Sequence, residues 1–184
     1  MEVGGATAAN KQPCLCTGEA IIEPMRHASF PPVVDEQTRI LVLGSLPGAR
    51  SLAAARYYAH PRNQFWRLLG DVLGLPLPAL DYEQRLQSLL SRGVGLWDVV
   101  ADAERQGSLD TAIKDARPND LQQLVGSLPQ LRTIGFNGGT AARIGTAALG
   151  QWANRIRLMP LPSSSPAHAI PYERKLERWK ALAD

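Results

Sequence analysis

The sequence predicts an α/β fold: a three-layer α/β/α sandwich with a central four-stranded parallel sheet. Three observations carry this. Apolar, strand-like runs alternate with helical patterns four times, and that alternation brings successive strands into one sheet in the same direction, with helices on both faces. Each strand-like run ends in a polar or glycine-rich stretch, so the loops 44–63, 98–102, 137–140 and 162–168 are delivered to one edge of that sheet. The 184 residues, 45% apolar and 20% charged, fit one ordinary globular domain with a real core.

The elements follow in order. Residues 1–37 are rich in Gly, Ala, Pro and polar types without periodicity. They read as a flexible extension and lead-in to a single domain over 38–184, with Ile21, Ile22, Met25 and Phe30 able to pack back onto it. Ile40-Leu41-Val42-Leu43 is short and β-branched enough to be a buried strand. In 64–73, Phe65, Leu68, Leu69, Val72 and Leu73 recur at helical spacing, and Gly74 and Pro76 stop the helix. Residues 82–90 form a second helix, with Leu86, Leu89 and Leu90 inward. Residues 93–100 read as a second strand ending near Asp98. Gly107-Ser108-Leu109-Asp110 is a turn, with Ser108 as a cap for the next helical piece. Pro118-Asn119-Asp120 opens a helix to about 128, with Asn119 as its N-cap. A third strand, 133–137, is broken by Gly138-Gly139, and an Ala-rich helix follows over 140–149. Residues 155–161 are the fourth strand, and the prolines and serines of 161–166 make a loop. An amphipathic helix, 172–182, closes the chain; its Arg174, Lys175, Arg178 and Lys180 read as a solvated face.

The composition excludes several classes. Net charge is +3, compatible with DNA. Cys14 and Cys16, even joined by His27, lack a fourth ligand, so no metal and no cofactor is expected. So few cysteines fit a reducing cytoplasm. No run approaches a membrane span, and the N-terminus lacks the apolar core of a signal peptide. The expectation is a cytoplasmic monomer.

The most informative stretch is 39–66. Gly44-Ser45-Leu46-Pro47-Gly48 bends the backbone sharply just past the first strand, where α/β sheets bind ligands. It lacks the Gly-Lys-Ser/Thr ending of a P-loop and is not a dinucleotide fingerprint. Arg50, Arg56, Arg62 and Arg67 follow, with no Asp or Glu between Arg39 and Asp71. Basic groups beside Tyr57, Tyr58 and Trp66 suit a nucleic acid better than a small neutral metabolite.

These residues resemble the uracil-DNA glycosylase superfamily. The mismatch-specific uracil/thymine glycosylases carry Gly-Ile-Asn-Pro-Gly, then an aromatic, then His-Pro-x-Asn-x-Phe-Trp. That spacing matches 44–48, Tyr58 and His60-Pro61-Arg62-Asn63-Gln64-Phe65-Trp66 without a gap. The hypoxanthine (deoxyinosine) branch is more similar still, in Gly-Ser-x-Pro-Gly, Ser51-Leu52, Tyr57-Tyr58, Leu96-Trp97-Asp98-Val99 and Ser163-Ser164-Ser165-Pro166-Ala167. The resemblance spans about 39–169. It implies a uracil-DNA-glycosylase-like fold and a monofunctional glycosylase acting on double-stranded DNA that contains deaminated bases. Two departures set the expected substrate. The family's water-holding loop asparagine is replaced by Leu46, and the last loop's leading His or Asn by Ser163. The hypoxanthine branch implies reliance on the later asparagine, Asn63, and so hypoxanthine first and uracil second.

An enzyme that removes a base must first flip it out of the stack into a pocket. Tyr58 offers a flat stacking face. In the cradle of Gly44, Pro47 and Gly48, the amides of Ser45 and Leu46 are placed to bond a carbonyl of the flipped base or to hold a water. Donors aimed at the base stabilise the negative charge it acquires as it leaves. Asn63 either orients the attacking water or caps the helix after it. His60 either meets the base or stiffens a turn with Pro61; His168 contacts phosphate or base. Asp98 reads the base or anchors a loop. Asn137 bonds a phosphate, a base edge or a neighbouring loop. Ser163, Ser164, Ser165 and Arg62 suit the DNA backbone. The site loops hold no lysine for a Schiff base, so water is the expected nucleophile. The rivals are a mismatch-specific uracil/thymine glycosylase and a damaged-DNA-binding module without catalysis. A Gly-x-Ser-x-Gly elbow, which a hydrolase of the α/β class needs, is absent.

Overall fold

The computed structural model describes Met1 and residues 26–183. Most of the N-terminal extension, Cys14 and Cys16, and the packing of Ile21, Ile22 and Met25 lie outside the described residues. Phe30 does pack onto the fold, its ring edge-on to Tyr57 with centroids 5.2 Å apart.

The central sheet holds β2 (Ile40–Gly44), β3 (Val94–Asp98), β6 (Thr133–Asn137) and β7 (Arg157–Leu161), all parallel, in the order β3-β2-β6-β7. Strand β2 explains the layers. Leu41 and Leu43 face one side, with Ile134 and Phe136, against α4 (Leu121–Gly126) and α5 (Gly139–Leu149). Val42 faces the other, with Val94 and Leu96, against α2 (Phe65–Leu73), α3 (Tyr82–Ser91) and α6 (Tyr172–Lys180). Side chains alternate across a strand, so an unbroken apolar run fills both cores at once. The predicted sandwich and its four parallel strands are borne out.

A second sheet was not predicted. β1 (Arg26–Ala28), β4 (Val100–Arg105) and β5 (Ile113–Pro118) pair antiparallel in the order β1-β4-β5. Residues 93–100 are therefore not one strand, and 98–102 is not a loop. The chain turns at Val99 and runs on as β4, because Val99 and Val100 donate their N–H groups to Gly44 O (2.8 Å) and Ser45 O (3.1 Å). The charges on β4 hid it from the hydrophobic pattern. Asp102 and Glu104 face solvent and pair with Arg26, and only Val100, Ala103 and Arg105 are buried.

Smaller corrections have local causes. Asp120, not Asn119, caps α4 by accepting from Gln123 N–H at 2.9 Å. Asn119 instead donates to Asp98 O at 2.8 Å. Ser108 caps no helix after it; its Oγ accepts from Ala49 N–H at 3.1 Å, in the first turn of α1 (Ala49–Ala54), a helix inside the loop after β2. Only a single 3-10 turn, Asp110–Ala112, lies between β4 and β5. Lys175 is not solvated: it is 1% exposed, and Nζ reaches Ser165 O at 3.4 Å. No described helix is long and apolar enough to cross a membrane.

Candidate active site

At the C-terminal edge of the parallel sheet lies a cavity of about 640 Å³. Its floor is the turn after β2 together with Asp98 and Asn137, the last residues of β3 and β6. Tyr57, Tyr58, His60 and Asn63 form one wall, and 163–168 another. A third wall, 108–111, comes from the connection between β4 and β5. That volume falls within the roughly 300–1,000 Å³ of small-ligand pockets, ample for one base.

The turn is the most constrained part. Gly44 is required: a Cβ there would lie 2.5 Å from Asp98 Oδ1 and 3.0 Å from Tyr58 Oη. The side chain of Leu46 is buried in the second core beside Val99 and Val100, so only its backbone faces the site. Within the described residues the amide N–H groups of Ser45 and Leu46 donate to nothing. The carbonyls of Leu46 and Pro47 accept from Arg105, at 3.2 Å for Leu46. Arg105 is 4% exposed and clasps the turn from behind, holding its carbonyls so that those amides stay free. Burial lowers its pKa, opposed by the carboxylates of Asp110 and Asp98.

Asp98 is 3% exposed, and its Oδ2 has no partner among the described residues. Burial pushes its carboxyl up to about 7; Asp110 adds to the rise, and Arg105 opposes it. Asp110 accepts from Ser45 Oγ at 2.6 Å and is itself raised by burial. Tyr58 sits at φ 52°, a left-handed conformation, stacked on Phe65 with centroids 3.5 Å apart and 9° between planes. One ring face is thus taken by Phe65. Its hydroxyl is buried without a geometrically sound partner among the described residues; burial, then Asp98, raises its pKa, and the nearby Asn137 side chain opposes the rise.

Asn63 Oδ1 accepts from Phe65 N–H at 3.0 Å, so it does brace the start of α2; its Nδ2 makes no bond within the described residues. His60 Nδ1 accepts from Arg62 N–H at 3.1 Å, a turn contact. Of the roles open to Asn137, the neighbouring loop is the one seen. Its Nδ2 donates to Ser164 Oγ (2.9 Å) and its Oδ1 accepts from Ser164 N–H (2.8 Å). Ser164 is fully buried and passes the tie on, its carbonyl accepting from Gln64 N–H at 3.0 Å. It anchors the last loop from within and has no surface to offer a DNA phosphate. Ser163, Ser165 and the exposed His168 line the cavity; Arg62 does not, and Arg50 does. The structure thus gathers the candidate site residues of the loops except Arg62; Arg56, Arg67 and Trp66 also lie outside the cavity lining. It adds Arg105, Asp110, Ser51 and Arg50. Arg50 lay in the basic run already noted; nothing in the local sequence marks Arg105 or Asp110.

Comparison with known proteins agrees with this geometry. A family model described as the uracil DNA glycosylase superfamily matches residues 31–184. A protein of Methanosarcina barkeri named hypoxanthine DNA glycosylase is 46% identical over 114 residues, 62% of this chain and 72% of its own length. One of the same name from Methanosarcina acetivorans is 39% identical over 159 residues, 86% of this chain and 98% of its own. The solution NMR structure of a candidate uracil DNA glycosylase from Methanosarcina acetivorans superposes with a TM-score of 0.77 at 38% identity, covering 86% of this chain and 98% of that one. The family resemblance read from the residues, and the branch within it, are borne out.

Proposed function

The chain belongs to the uracil DNA glycosylase superfamily, a family of DNA glycosylases, and we propose that it excises hypoxanthine first and uracil second from double-stranded DNA. The observation that carries this reading is Asp98: a buried carboxyl lining the floor of a base-sized cavity, with one oxygen unpartnered among the described residues. With a pKa of about 7 it is substantially protonated near neutrality. A protonated carboxyl donates and accepts side by side, which matches the carbonyl and adjacent ring N–H of hypoxanthine, and equally those of uracil. The names of the two Methanosarcina relatives favour hypoxanthine as the preferred base.

The remaining roles follow the same pocket. The side of Tyr58 turned away from Phe65 stacks on the flipped base. The free amides of Ser45 and Leu46, cradled by Gly44, Pro47 and Gly48, hold a water or a base oxygen. As the glycosidic bond breaks, its electron pair goes to the base, and these donors stabilise that charge. Nδ2 of Asn63 is open to the attacking water while Oδ1 braces the helix. Water adds to the anomeric carbon and loses its proton, leaving an abasic site. Ser163, Ser165, His168 and Arg62 meet the DNA backbone, and the protein works as a cytoplasmic monomer without a cofactor.

Single-turnover release of hypoxanthine from a duplex tests the roles. Asn63→Ala should slow release on the order of 100-fold or more without lowering Tm by more than a few degrees. Asp98→Asn, which keeps a donor beside an acceptor, should retain far more activity than Asp98→Ala. Equal losses in the two Asp98 variants would end the base-reading role; unchanged turnover in Asn63→Ala would remove Asn63 from the chemistry.

A further inference from the structure

Lys175, in the middle of α6, is a buried cation without an anion. It is 1% exposed, and among the described residues no Asp or Glu reaches it at ion-pair distance. Its one polar contact is the donation from Nζ to Ser165 O at 3.4 Å. An ammonium taken out of water is unfavourable unless it is paired, and burial accordingly lowers its pKa. What it touches is the last loop of the site, and that loop has a polarity. Trp179 Nε1 donates to Pro162 O (2.9 Å), Gln64 N–H to Ser164 O (3.0 Å), and His168 N–H shares Ser165 O with Lys175 (3.0 Å). The carbonyls of 162, 164 and 165, the negative ends of their peptides, are thus all engaged by donors. Ser163 and Ser165, which line the cavity, offer the opposite sign. Ser163 Oγ accepts from Ser165 N–H and Ser165 Oγ from Ala167 N–H, both at 3.2 Å, and neither hydroxyl proton has an acceptor among the described residues. Two open hydroxyl donors and an unpaired buried cation lack the same thing, an anion.

We propose that Lys175 is a positioning residue for the DNA backbone: acting through Ser165, its charge draws one phosphate beside the flipped nucleotide onto the last loop. This rests on the reading of that loop as a contact to the DNA backbone. The ammonium does not touch the phosphate. It lies behind the Ser165 carbonyl, in a medium that screens far less than water, so its attraction persists where that of an exposed lysine fades with salt. The same bond to Ser165 O steadies the turn that carries the hydroxyls. Arg174, Arg178 and Lys180, the exposed cations of α6, do not line the base cavity; Lys175 is the one whose charge is tied to it.

The test is a cycle between the lysine and the phosphate. Lys175→Met keeps the length of the stem and removes the charge. Single-turnover release of hypoxanthine is followed against protein concentration on duplexes with a normal backbone, or with a neutral methylphosphonate 5′ or 3′ of the deoxyinosine. Lys175→Met should raise the half-saturating concentration about 10-fold and change the rate at saturation less. On the unchanged protein, the methylphosphonate at one of the two positions should do the same. On Lys175→Met that methylphosphonate should add less than about 2-fold, because charge and phosphate are two halves of one interaction. Lys175→Gln, which keeps a donor for Ser165 O without the charge, should behave like Lys175→Met. Removing an unpaired buried charge relieves the fold, so Tm of Lys175→Met should hold or rise. Full independent effects of lysine and phosphate at both positions, an unshifted half-saturating concentration in Lys175→Met, recovery in Lys175→Gln or a marked fall in Tm overturns the role of the charge and leaves the loop reading standing. If neither methylphosphonate weakens binding by the unchanged protein, the loop is no backbone contact, and the role of Lys175 falls with it.

Discussion

Asp98 concentrates the residue-level chemistry. Its carboxyl is buried against Gly44 and Tyr58, within reach of the charges of Asp110 and Arg105, and burial is the main reason its proton is held so late. Because the folded-state pKa is raised, the neutral acid stabilises the fold. That contribution is fully present below the ordinary value of 3.8 and is lost as pH rises through about 7. The loss should amount to a few kcal/mol at alkaline pH. Urea unfolding measured from pH 4 to pH 9 should show this slope in the unchanged protein and a flatter profile in Asp98→Asn. Gly44 is the companion case. Gly44→Ala would push a methyl against Asp98 Oδ1 and Tyr58 Oη and should cost on the order of 1–3 kcal/mol, with excision lost. A variant as stable and active as the parent would contradict the packing described here.

At the scale of elements, the antiparallel sheet is what holds the turn after β2 in shape. β4 runs back beside the turn and sets Arg105 behind the Leu46 and Pro47 carbonyls. Arg105→Met removes that clasp and leaves the two carbonyls without their donor. It should cost roughly 1–3 kcal/mol in unfolding and weaken substrate binding as well. Arg105→Lys keeps the charge and should recover stability better than activity, since a lysine cannot hold two carbonyls in the same fork. The parallel strands were legible because burial on both faces demands unbroken apolar runs. The antiparallel sheet was not, because one side of β4 and most of β5 face water and carry Asp102, Glu104, Lys114 and Arg117. Helix α1 was missed because its Ala-rich turn is short and sits between a Gly-Pro turn and two tyrosines. Asp110 and Arg105 act on Ser45 and Leu46 from 65 and 59 positions away, a distance no local pattern spans.

Across the whole molecule, the core and the site share residues. Trp179 of α6 is fully buried, meets Phe65 edge-on at 5.7 Å, and donates to Pro162 O at 2.9 Å. Phe65 in turn supports the Tyr58 ring. Trp179→Ala should therefore cost about 3–5 kcal/mol and loosen the last loop, whereas Trp179→Phe should keep most of the packing and lose the tie to Pro162. Denaturant midpoints for the two variants, set beside their excision rates, separate the effects.

Base excision with hypoxanthine preferred is decided by a panel of duplexes carrying deoxyinosine, uracil or xanthine opposite each normal base, incubated with excess protein and read as free base released and abasic strand formed. Release should be fastest from deoxyinosine, slower from uracil, and without strand cleavage by the protein itself. Binding with no free base from any duplex, or uracil released faster than hypoxanthine throughout, would contradict it.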